Sequence, residues 1–414
     1  MVGRGGNSRN WLSPLFMLIH YSMAKGKVGL KVPSKNELLK KYGSSIVLAS
    51  ETKETGLWLP STFFALNYTF GGGIPFGKIL EVAGEESSGK SLIAYNFAYS
   101  CQQLGGHVIW VDAEQSWMNS WAQTNGVDPE RVTVVNDTRI ENVADAVADL
   151  ALYFRSQLTH NEPILLVIDS VAAMDCADNI DSKMTDAKAE MGGRAKALYK
   201  YFRIRSELFY RLGVTQIYIN QLRTALNVGF GKDNTTTTGG AALKFYASIR
   251  AAFYSGRSIT VKQKGKERKA GKLVTVRLIK NKVAPPRPTI SKCPVYFNPK
   301  FHEVGFDRCF GLEDVLVEND IIVKSSGGVY KLKDKTLARG EEKFQKLLEE
   351  DDDLRRKLLR KADINTIGTT RKKLEAHTEN LRNSAFGSVS FCPDDVLLSL
   401  TYDISYKTDG FPHS

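Results

Sequence analysis

The chain is 414 residues long, which predicts two or three domains with a buried core. Its composition, 42% hydrophobic and 25% charged, is that of a soluble globular protein, and no apolar run is long enough to span a membrane. The net charge of +12 predicts an anionic partner, with nucleic acid the first candidate, because binding a nucleotide alone does not require so many cations.

The five cysteines and six histidines are scattered, without a C-x-x-C pair or another metal-ligand spacing. This pattern offers no metal site of the cysteine/histidine type and indicates free thiols in a reducing compartment. The first 28 residues contain no acid, but Pro14 and His20 interrupt their apolar part, so a signal peptide fits poorly and a transit peptide is an alternative. We expect instead that Met23 is the natural start and that residues 1–33 are an unstructured extension.

The first predicted elements are a short helix and a strand. Ser34, with Glu37 three residues on, forms a capping-box pattern that predicts a helix as far as Tyr42. Residues 46–48, Ile-Val-Leu, predict a strand. We take residues 34–60 as an arm that precedes the main domain.

Residues 78–104 carry the pattern around which the chain is organised. The apolar run 79–83 predicts a buried strand, and residues 92–104 predict a helix that ends at Gly105-Gly106. Between them, residues 84–91 match the phosphate loop G-x-x-x-x-G-K-[ST] at every fixed position. Glycines let backbone N–H groups surround phosphate oxygens, a lysine reaches the β- and γ-phosphates, and a hydroxyl ligates Mg²⁺. The residues predicted to bind a nucleoside triphosphate and Mg²⁺ are Gly84, Glu85, Glu86, Ser87, Ser88, Gly89, Lys90 and Ser91, with no part for Leu92; the alternative is a chance glycine-rich turn.

Further predicted strands end in polar residues. Residues 108–111 lead to Asp112 and Glu114, residues 164–168 lead to Asp169, and residues 216–220 lead to Gln221, with helices predicted over 140–158 and 195–212. Strands that alternate with helices predict a parallel sheet covered on both faces, with ligands at the carboxyl ends of its strands. Asp169 closes a Walker B pattern, whose acid supports Mg²⁺ beside the nucleotide. Glu114 is placed to polarise the water that attacks the γ-phosphate, unless it is only a solvated acid at a strand end.

Two long loops and a basic segment follow. Residues 179–193 and 222–240 are polar, and loops of this length in a compact domain are functional or disordered. Such loops suit single-stranded nucleic acid, and idle surface loops are the alternative. Residues 241–254 and 273–280 predict strands joined by a turn over 257–272, with seven Lys or Arg against one Glu; a solvated turn is the alternative to a binding patch. Helices are predicted over 312–318 and 340–361, with residues 351–353 opening a further helix.

With these motifs in place, the chain resembles the RecA-type recombinases over about residues 34–359. The matching segments occur in the same order: G-E-E-S-S-G-K-S at 84–91, V-D-A-E at 111–114, V-I-D-S-V-A-A at 167–173, I-N-Q-L-R at 219–223, T-T-T-G-G at 236–240, L-K-F-Y-A-S at 243–248 and K-N-K at 280–282. The resemblance implies an α/β fold with a RecA-like P-loop ATPase core over 61–290, in which a mostly parallel sheet is flanked by helices. It also implies a polymerisation arm over 34–60 and a small C-terminal α/β domain over 291–363, which leaves a tail over 364–414 without a role.

The same resemblance implies roles for individual residues. Glu114 would activate the attacking water, Gln221 would sense the γ-phosphate, and Trp121 would stack on adenine where the family has tyrosine. Lys280 and Lys282 would reach the ATP of a neighbouring subunit, so that hydrolysis requires a filament. The implied catalytic residues are Glu114, Lys90, Gln221, Lys280 and Lys282, and the implied metal ligands are Ser91 and Asp169. The positions that match DNA contacts are Met191, Lys196, Arg223, Leu226, Phe230, Gly239 and Gly240.

The chain also departs from the family pattern. Met118 replaces an acid near the nucleotide, and Thr224 replaces a bulky apolar residue of the second loop. Tyr254 and Ser255 stand where bacterial members have two arginines linked to a second DNA site. The basic segment 257–272 is a candidate replacement for those arginines.

The implied function is that of an ATP-dependent DNA recombinase with ATP and Mg²⁺ as cofactors. It would form a helical filament on single-stranded DNA, pair it with homologous double-stranded DNA and exchange strands, in the cytoplasm of a bacterial cell or phage-infected host. A ring helicase with the same core is one alternative, disfavoured by the lysine pair and the arm. A regulatory relative that binds ATP and proteins without strand exchange is another, disfavoured by the intact set of Glu114, Asp169 and Gln221.

Overall fold

The computed structural model describes residues 34–42, 56–159, 161–182, 192–224, 235–285, 287, 289–362 and 370–376. The chain divides into two compact units between Glu54 and Thr55. In the first unit, helix α1 (Lys35–Tyr42) begins with the predicted capping box: Ser34 N donates to Glu37 Oε2 at 2.7 Å, and Glu37 N donates to Ser34 Oγ at 3.2 Å. The strand predicted at 46–48 lies outside the described residues.

The second unit is built on a ten-stranded sheet whose central part is parallel. Its first five strands in the chain are β3 (Ile79–Gly84), β4 (His107–Asp112), β5 (Val132–Val135), β6 (Ile164–Asp169) and β7 (Val214–Thr224), which follow a short antiparallel pair of β1 (Trp58–Leu59) and β2 (Ile74–Pro75). They lie in the spatial order β3-β7-β6-β4-β5, and β9 (Ile249–Gln263) runs parallel to β3 on its other side. The short strand β8 (Thr235–Thr237) pairs antiparallel with the end of β7.

Helices cover both faces of this sheet, because a connection between parallel strands must cross over the sheet. The helices of this part of the chain are α2 (Phe64–Phe70), α3 (Lys90–Gln103), α4 (Asn119–Thr124), α5 (Ile140–Gln157), α6 (Ala177–Asp181), α7 (Gly193–Arg211) and α8 (Ala242–Tyr246). Buried strand residues alternate between two hydrophobic clusters: Leu165 and Val167 share one with α3, whereas Leu166 and Ile168 share the other with α5 and α7. The predicted α/β class, with a mostly parallel sheet between helices, is confirmed.

Antiparallel strands continue the sheet beyond β9. They are β10 (Lys266–Asn281), β11 (Ile290–Tyr296) and β12 (Gly305–Phe306). The C-terminal part adds α9 (Leu312–Glu318), the three-stranded sheet of β13 (Val323–Lys324), β14 (Val329–Leu332) and β15 (Lys335–Arg339), and the helices α10 (Glu341–Glu350) and α11 (Asp352–Lys361). Its buried Tyr330 and Phe344 belong to the same hydrophobic cluster as α3. Within the described ranges, no helix has the length and apolar character needed to cross a bilayer.

Most predicted elements are confirmed to within a few residues, and the strand at 164–169 and the helix at 312–318 are matched at both ends. The predicted break near Asp351 is also confirmed, since its side chain accepts a hydrogen bond from Leu354 N at 2.8 Å and caps α11. The predicted domain boundaries stay predictions.

Two predictions are wrong. Residues 241–254 do not form a single strand, because residues 242–246 form helix α8. The predicted turn over 257–272 is instead the outer half of a long hairpin of β9 and β10, with a turn only at Lys264 and Gly265. Both of these residues have positive φ, 50° and 74°, which is the backbone that a two-residue hairpin turn requires.

Candidate nucleotide-binding and DNA-binding site

The phosphate loop connects the end of β3 to the start of α3. Its first glycine is required by close packing, since a Cβ on Gly84 would lie 2.6 Å from Ser88 Oγ and 2.8 Å from the carbonyl oxygen of Phe253. The buried Ser88 hydroxyl donates to the carbonyl of Glu85 at 2.8 Å, which closes the loop on itself. Gly89, with a φ of 88°, turns the chain into the helix. The loop is therefore a preformed cradle beside a helix N-terminus, the arrangement that binds phosphate.

Lys90 directs its ammonium group into this cradle. Its Nζ donates to the carbonyl oxygen of Glu85 at 2.5 Å. Burial lowers the pKa of Lys90, and the nearby carboxylates of Asp169 and Glu114 act in the opposite direction. The position therefore offers a partly desolvated cation to an anion in the loop.

Ser91 and Asp169 meet between the first turn of α3 and the end of β6. The Ser91 hydroxyl donates to Asp169 Oδ2 at 2.8 Å. Burial raises the pKa of Asp169 to about 6; the Ser91 hydrogen bond lowers it, and the charges of Glu114 and Asp112 raise it further. Two adjacent oxygen donors, one of them a buried carboxyl next to other acids, fit a hard divalent cation such as Mg²⁺.

Glu114 lies in the turn after β4, on the same edge of the sheet. The Ser170 hydroxyl donates a hydrogen bond to Glu114 Oε1. The shape of the turn comes from Asp112, whose buried carboxylate accepts from the backbone N–H groups of Ser116 at 3.0 Å and Trp117 at 2.8 Å. Sequence reasoning assigned no role to Asp112, although an acid that follows a strand and precedes a turn is a signal for this kind of bonding.

Gln221 lies at the same edge of the sheet. In the parallel pairing of β3 with β7, Gln221 is the partner of Gly84, the first residue of the phosphate loop. Lys90, Ser91, Glu114, Asp169 and Gln221 thus lie at one edge of the sheet on four neighbouring elements, and their roles stay predictions.

The aromatic residues near this edge form a stack that the sequence did not indicate. Trp121 lies in α4 and is half-buried, while Met118 just before this helix is 58% exposed. Trp117 packs against Trp110, with ring centroids 5.0 Å apart, and Trp110 stacks on Tyr95 at 4.7 Å. These contacts do not involve Trp121, and its stacking on a base stays a prediction.

The two ends of the first long loop are joined by an ion pair. Asp175 accepts from Arg194 Nη2 at 3.1 Å, and Arg194 Nη1 donates to the carbonyl of Ala172 at 3.3 Å. Hydrogen bonds from Cys176 N, Asn179 and Arg194 lower the pKa of Asp175 against an opposing effect of burial. Lys196, two residues after Arg194, is exposed, whereas Met191 lies outside the described residues.

The second long loop begins and ends as a two-stranded ladder. Arg223, in β7, is exposed and pairs with Thr236 of β8. Gly239, with a φ of 89°, packs so closely that a Cβ would lie 2.7 Å from Leu198 Cδ1 of α7. At Gly240, a Cβ would lie 3.1 Å from that of Ala195. The end of the second loop therefore packs on the helix that follows the first loop; the predicted contacts Leu226 and Phe230 lie outside the described residues.

Lys280 and Lys282 lie near the end of β10. The Lys280 ammonium donates to the carbonyls of Lys244 at 2.7 Å and Phe245 at 3.1 Å, at the last turn of α8. Burial lowers the pKa of Lys280, as do the charges of Lys282 and Arg250. Lys282 is exposed. Within the described residues, the hydrogen bonds of Lys280 go to α8 and not to the cluster around Lys90.

The hairpin of β9 and β10 carries its cations on both faces. Residues 260–269 are all exposed, and Arg268 is opposite Val261 while Lys269 is opposite Thr260. Its base touches the phosphate loop: Ser255 N donates to Glu85 Oε2 at 3.0 Å, and Lys272 Nζ donates to the carbonyl of Ser87 at 3.4 Å. The basic hairpin therefore begins directly beside the phosphate loop.

Comparison with known proteins agrees with this arrangement. The family model of the RecA N-terminal domain matches residues 34–298. The chain is 32% identical to Protein RecA of a Picosynechococcus species over 322 residues, which cover 77% of this chain and 86% of the relative. It is 34% identical to Protein RecA of Saccharopolyspora erythraea over 318 residues, 76% of this chain and 86% of the relative. With Protein RecA of Bacteroides thetaiotaomicron it shares 32% identity over 326 residues, 76% of this chain and 90% of the relative.

Proposed function

Because this chain belongs to the RecA family and is an ATP-dependent DNA recombinase, we propose that it forms a helical filament on single-stranded DNA, pairs this strand with homologous double-stranded DNA and exchanges strands. As a P-loop enzyme of this family it binds nucleotide and DNA. The observation that carries the proposal is the meeting of Lys90, Ser91, Glu114 and Asp169 at one sheet edge, with Gln221 paired to Gly84. The filament acts in the cytoplasm.

We assign ATP as the nucleotide and Mg²⁺ as the ion. Lys90 exchanges the Glu85 carbonyl for the β- and γ-phosphates, and Ser91 and Asp169 supply oxygen ligands. An Mg²⁺ ion held by Ser91 and Asp169 would neutralise charge on the phosphate oxygens. Glu114, oriented by the Ser170 hydroxyl, accepts a proton from the water as its oxygen bonds to the γ-phosphorus and the bond to the bridging oxygen breaks. ADP and phosphate leave, and the proton passes from Glu114 to solvent.

Gln221 is the proposed link between nucleotide and DNA. It follows the last buried residue of β7 and directly precedes the second loop, so a hydrogen bond from its side chain to the γ-phosphate would restrain the start of that loop. An ordered loop presents Arg223, Gly239 and Gly240 together, while Lys196 extends from α7 beside the first loop. Backbone N–H groups and cations there bind the phosphates of a single strand, and base pairing provides the sequence specificity.

We propose the basic hairpin as the site for double-stranded DNA. Tyr254 and Ser255 do not supply cations, but seven Lys or Arg follow within residues 257–272. An exposed two-stranded ribbon with cations on both faces can follow a DNA backbone. Contacts of Ser255 and Lys272 with the phosphate loop connect this hairpin to the nucleotide site.

Self-association follows from the same set of residues. We propose that Lys280 and Lys282 contact the ATP of a neighbouring subunit. We also propose that the arm over 34–60, of which the structure describes residues 34–42 and 56–60, binds the neighbour. Each active site is then completed by a second copy, which makes hydrolysis depend on filament formation.

The test is to measure ATP hydrolysis with and without single-stranded DNA over a range of protein concentrations, with Lys90→Ala as the inactive reference. We expect strong stimulation by DNA that rises cooperatively with protein concentration. Hydrolysis that ignores DNA, or that saturates as a ring of fixed size, would contradict the filament and favour a mediator or a helicase.

A further inference from the structure

Glu81 is a carboxylate buried in the middle of the central sheet. It lies in β3, is 1% exposed, and its Oε2 accepts a hydrogen bond from Arg250 Nε on the neighbouring β9. Its Oε1 accepts from Asn220 Nδ2 on β7, the other neighbour, at 3.1 Å. Apolar side chains in place of a buried ion pair are often equally or more stabilising, so stability alone does not account for these three polar residues.

At one end of this group, Asn220 ties together the two ends of the second loop. Its Nδ2 also donates to the carbonyl of Thr238 at 2.9 Å, and its Oδ1 accepts from the backbone N–H of Gln221 at 2.9 Å. Gln221 directly precedes the loop over 222–240, and Thr238 lies near its end. One buried carboxamide thus joins the strand end that carries the γ-phosphate sensor to the backbone on the far side of the loop.

At the other end, Arg250 adjoins the strand that carries the intersubunit lysines. In the antiparallel pairing of β9 with β10, Arg250 is the partner of Lys280. The Arg250 side chain is 11% exposed, so its position is determined by packing and by Glu81. The Glu81 carboxylate therefore lies between the base of the second loop and the strand position of Lys280.

We propose that Glu81, Asn220 and Arg250, here called the buried relay, couple the nucleotide state read at Gln221 to the second DNA loop and to the Lys280 strand. Glu81 is buried and is a positioning residue. This inference rests on the proposed function, since it needs ATP to increase the affinity for DNA. Loss of the Glu81 charge leaves the Arg250 cation without its counter-charge, and the two ends of the relay then move independently.

The test uses Glu81→Gln in the full-length protein. Three quantities are measured: the affinity for a fluorescent ATP analogue, the affinity for single-stranded DNA without nucleotide, and the affinity for the same DNA with a non-hydrolysable ATP analogue. We expect the first two to stay within about twofold of wild type and the ATP-induced gain in DNA affinity to fall about tenfold. A purely structural role would move all three or none, and an unchanged ATP-induced gain overturns the relay.

A second buried carboxylate gives a matched control. Glu313 is 6% exposed and accepts hydrogen bonds from the Tyr330 hydroxyl at 2.6 Å and from Lys324 Nζ at 2.7 Å. Glu313→Gln should lower thermal stability and leave the ATP-induced gain intact; an equal loss of gain in this control overturns a specific role for Glu81.

A further variant keeps the test decisive if Glu81→Gln does not fold. Asn220→Ser retains the Glu81–Arg250 pair and removes both carboxamide bonds to the loop, so we again expect a reduced ATP-induced gain, and a wild-type gain overturns the relay. A wild-type protein in which ATP does not strengthen DNA binding at all would instead overturn the proposed function, and the relay with it.

Discussion

The hydroxyl of Ser91 lies 2.8 Å from the carboxylate of Asp169, although the two residues are 78 positions apart in the chain. The first turn of α3 and the end of β6 therefore bring two hard oxygen donors together before any ion binds. The charges of Lys90 and Glu114 affect the pKa of the same Asp169 carboxylate, so these candidate nucleotide-binding and catalytic groups lie close together.

Glu114→Gln should slow hydrolysis without weakening nucleotide binding. The amide oxygen can still accept the Ser170 hydrogen bond, but it cannot take a proton from water. We expect DNA-stimulated turnover to fall by about 10²–10³-fold while nucleotide affinity stays within about twofold. Glu130→Gln, which changes an exposed acid of the 3₁₀ helix Pro129–Arg131, is the control, and unaltered turnover in Glu114→Gln would remove the catalytic assignment.

Arg194→Ala should weaken binding of single-stranded DNA. It removes the ion pair with Asp175 and the bond to the Ala172 carbonyl, which together join the two ends of the first loop. A loss of about 1 kcal/mol from these bonds corresponds to a DNA affinity about fivefold lower, with nucleotide affinity unchanged. Arg205→Ala is matched, because Arg205 lies on the same helix and pairs with Asp145 away from both loops. Equal effects of the two substitutions would show that the Asp175–Arg194 ion pair has no specific role in binding single-stranded DNA.

Neutralising the outer hairpin should weaken binding of double-stranded DNA. In the triple variant Lys266→Gln, Arg268→Gln, Lys269→Gln, we expect the slope of log affinity against log salt to decrease in magnitude by about 3, since each cation releases about one counterion on binding a phosphate. The control neutralises Lys331, Lys333 and Lys335, three exposed cations of the hairpin formed by β14 and β15. A salt slope that changes only in the control would exclude the β9–β10 hairpin as the double-stranded DNA site.

His107 should make the free energy of unfolding depend on pH. Burial lowers its pKa to about 4, and the charge of Arg131 adds to this effect; the ring stacks on Phe154 with centroids 3.8 Å apart. Between pH 4 and the ordinary pKa near 6.5, the unfolded chain binds a proton at His107 and the folded chain does not. The free energy of unfolding therefore decreases as the pH falls through this range. Calorimetry from pH 7.5 to 4 should therefore show a smaller fall in Tm for His107→Gln than for wild type. His302→Gln, which changes an exposed ring, should follow wild type, and parallel curves for all three proteins would contradict the prediction.

Local sequence patterns predicted most of the fold and pointed to the candidate nucleotide site. The run 164–169 is apolar because both faces of β6 are covered, and such a strand is recognisable without knowing its neighbours. The phosphate loop, the capping box at Ser34 and the polar ends of the strands are equally local, since each depends on the backbone within a few residues. Carboxyl ends of parallel strands share one edge, which is why Glu114, Asp169 and Gln221 could be placed together in advance.

The tertiary structure alone decided the pairings between distant residues. Glu81 and Arg250 are 169 positions apart, and no local pattern distinguishes a buried relay from a polar residue that interrupts an apolar strand. The same holds for the ion pair of Asp175 with Arg194. In the hairpin, the many cations made residues 257–272 resemble a solvated turn, and only the pairing of β9 with β10 shows that Ile259 and Val261 belong to a strand. Sequence determines which short segments can form strands, helices and phosphate loops, because those preferences act within a few residues. Which buried charges meet depends on the register of strands across the whole sheet, and that is a property of the folded chain.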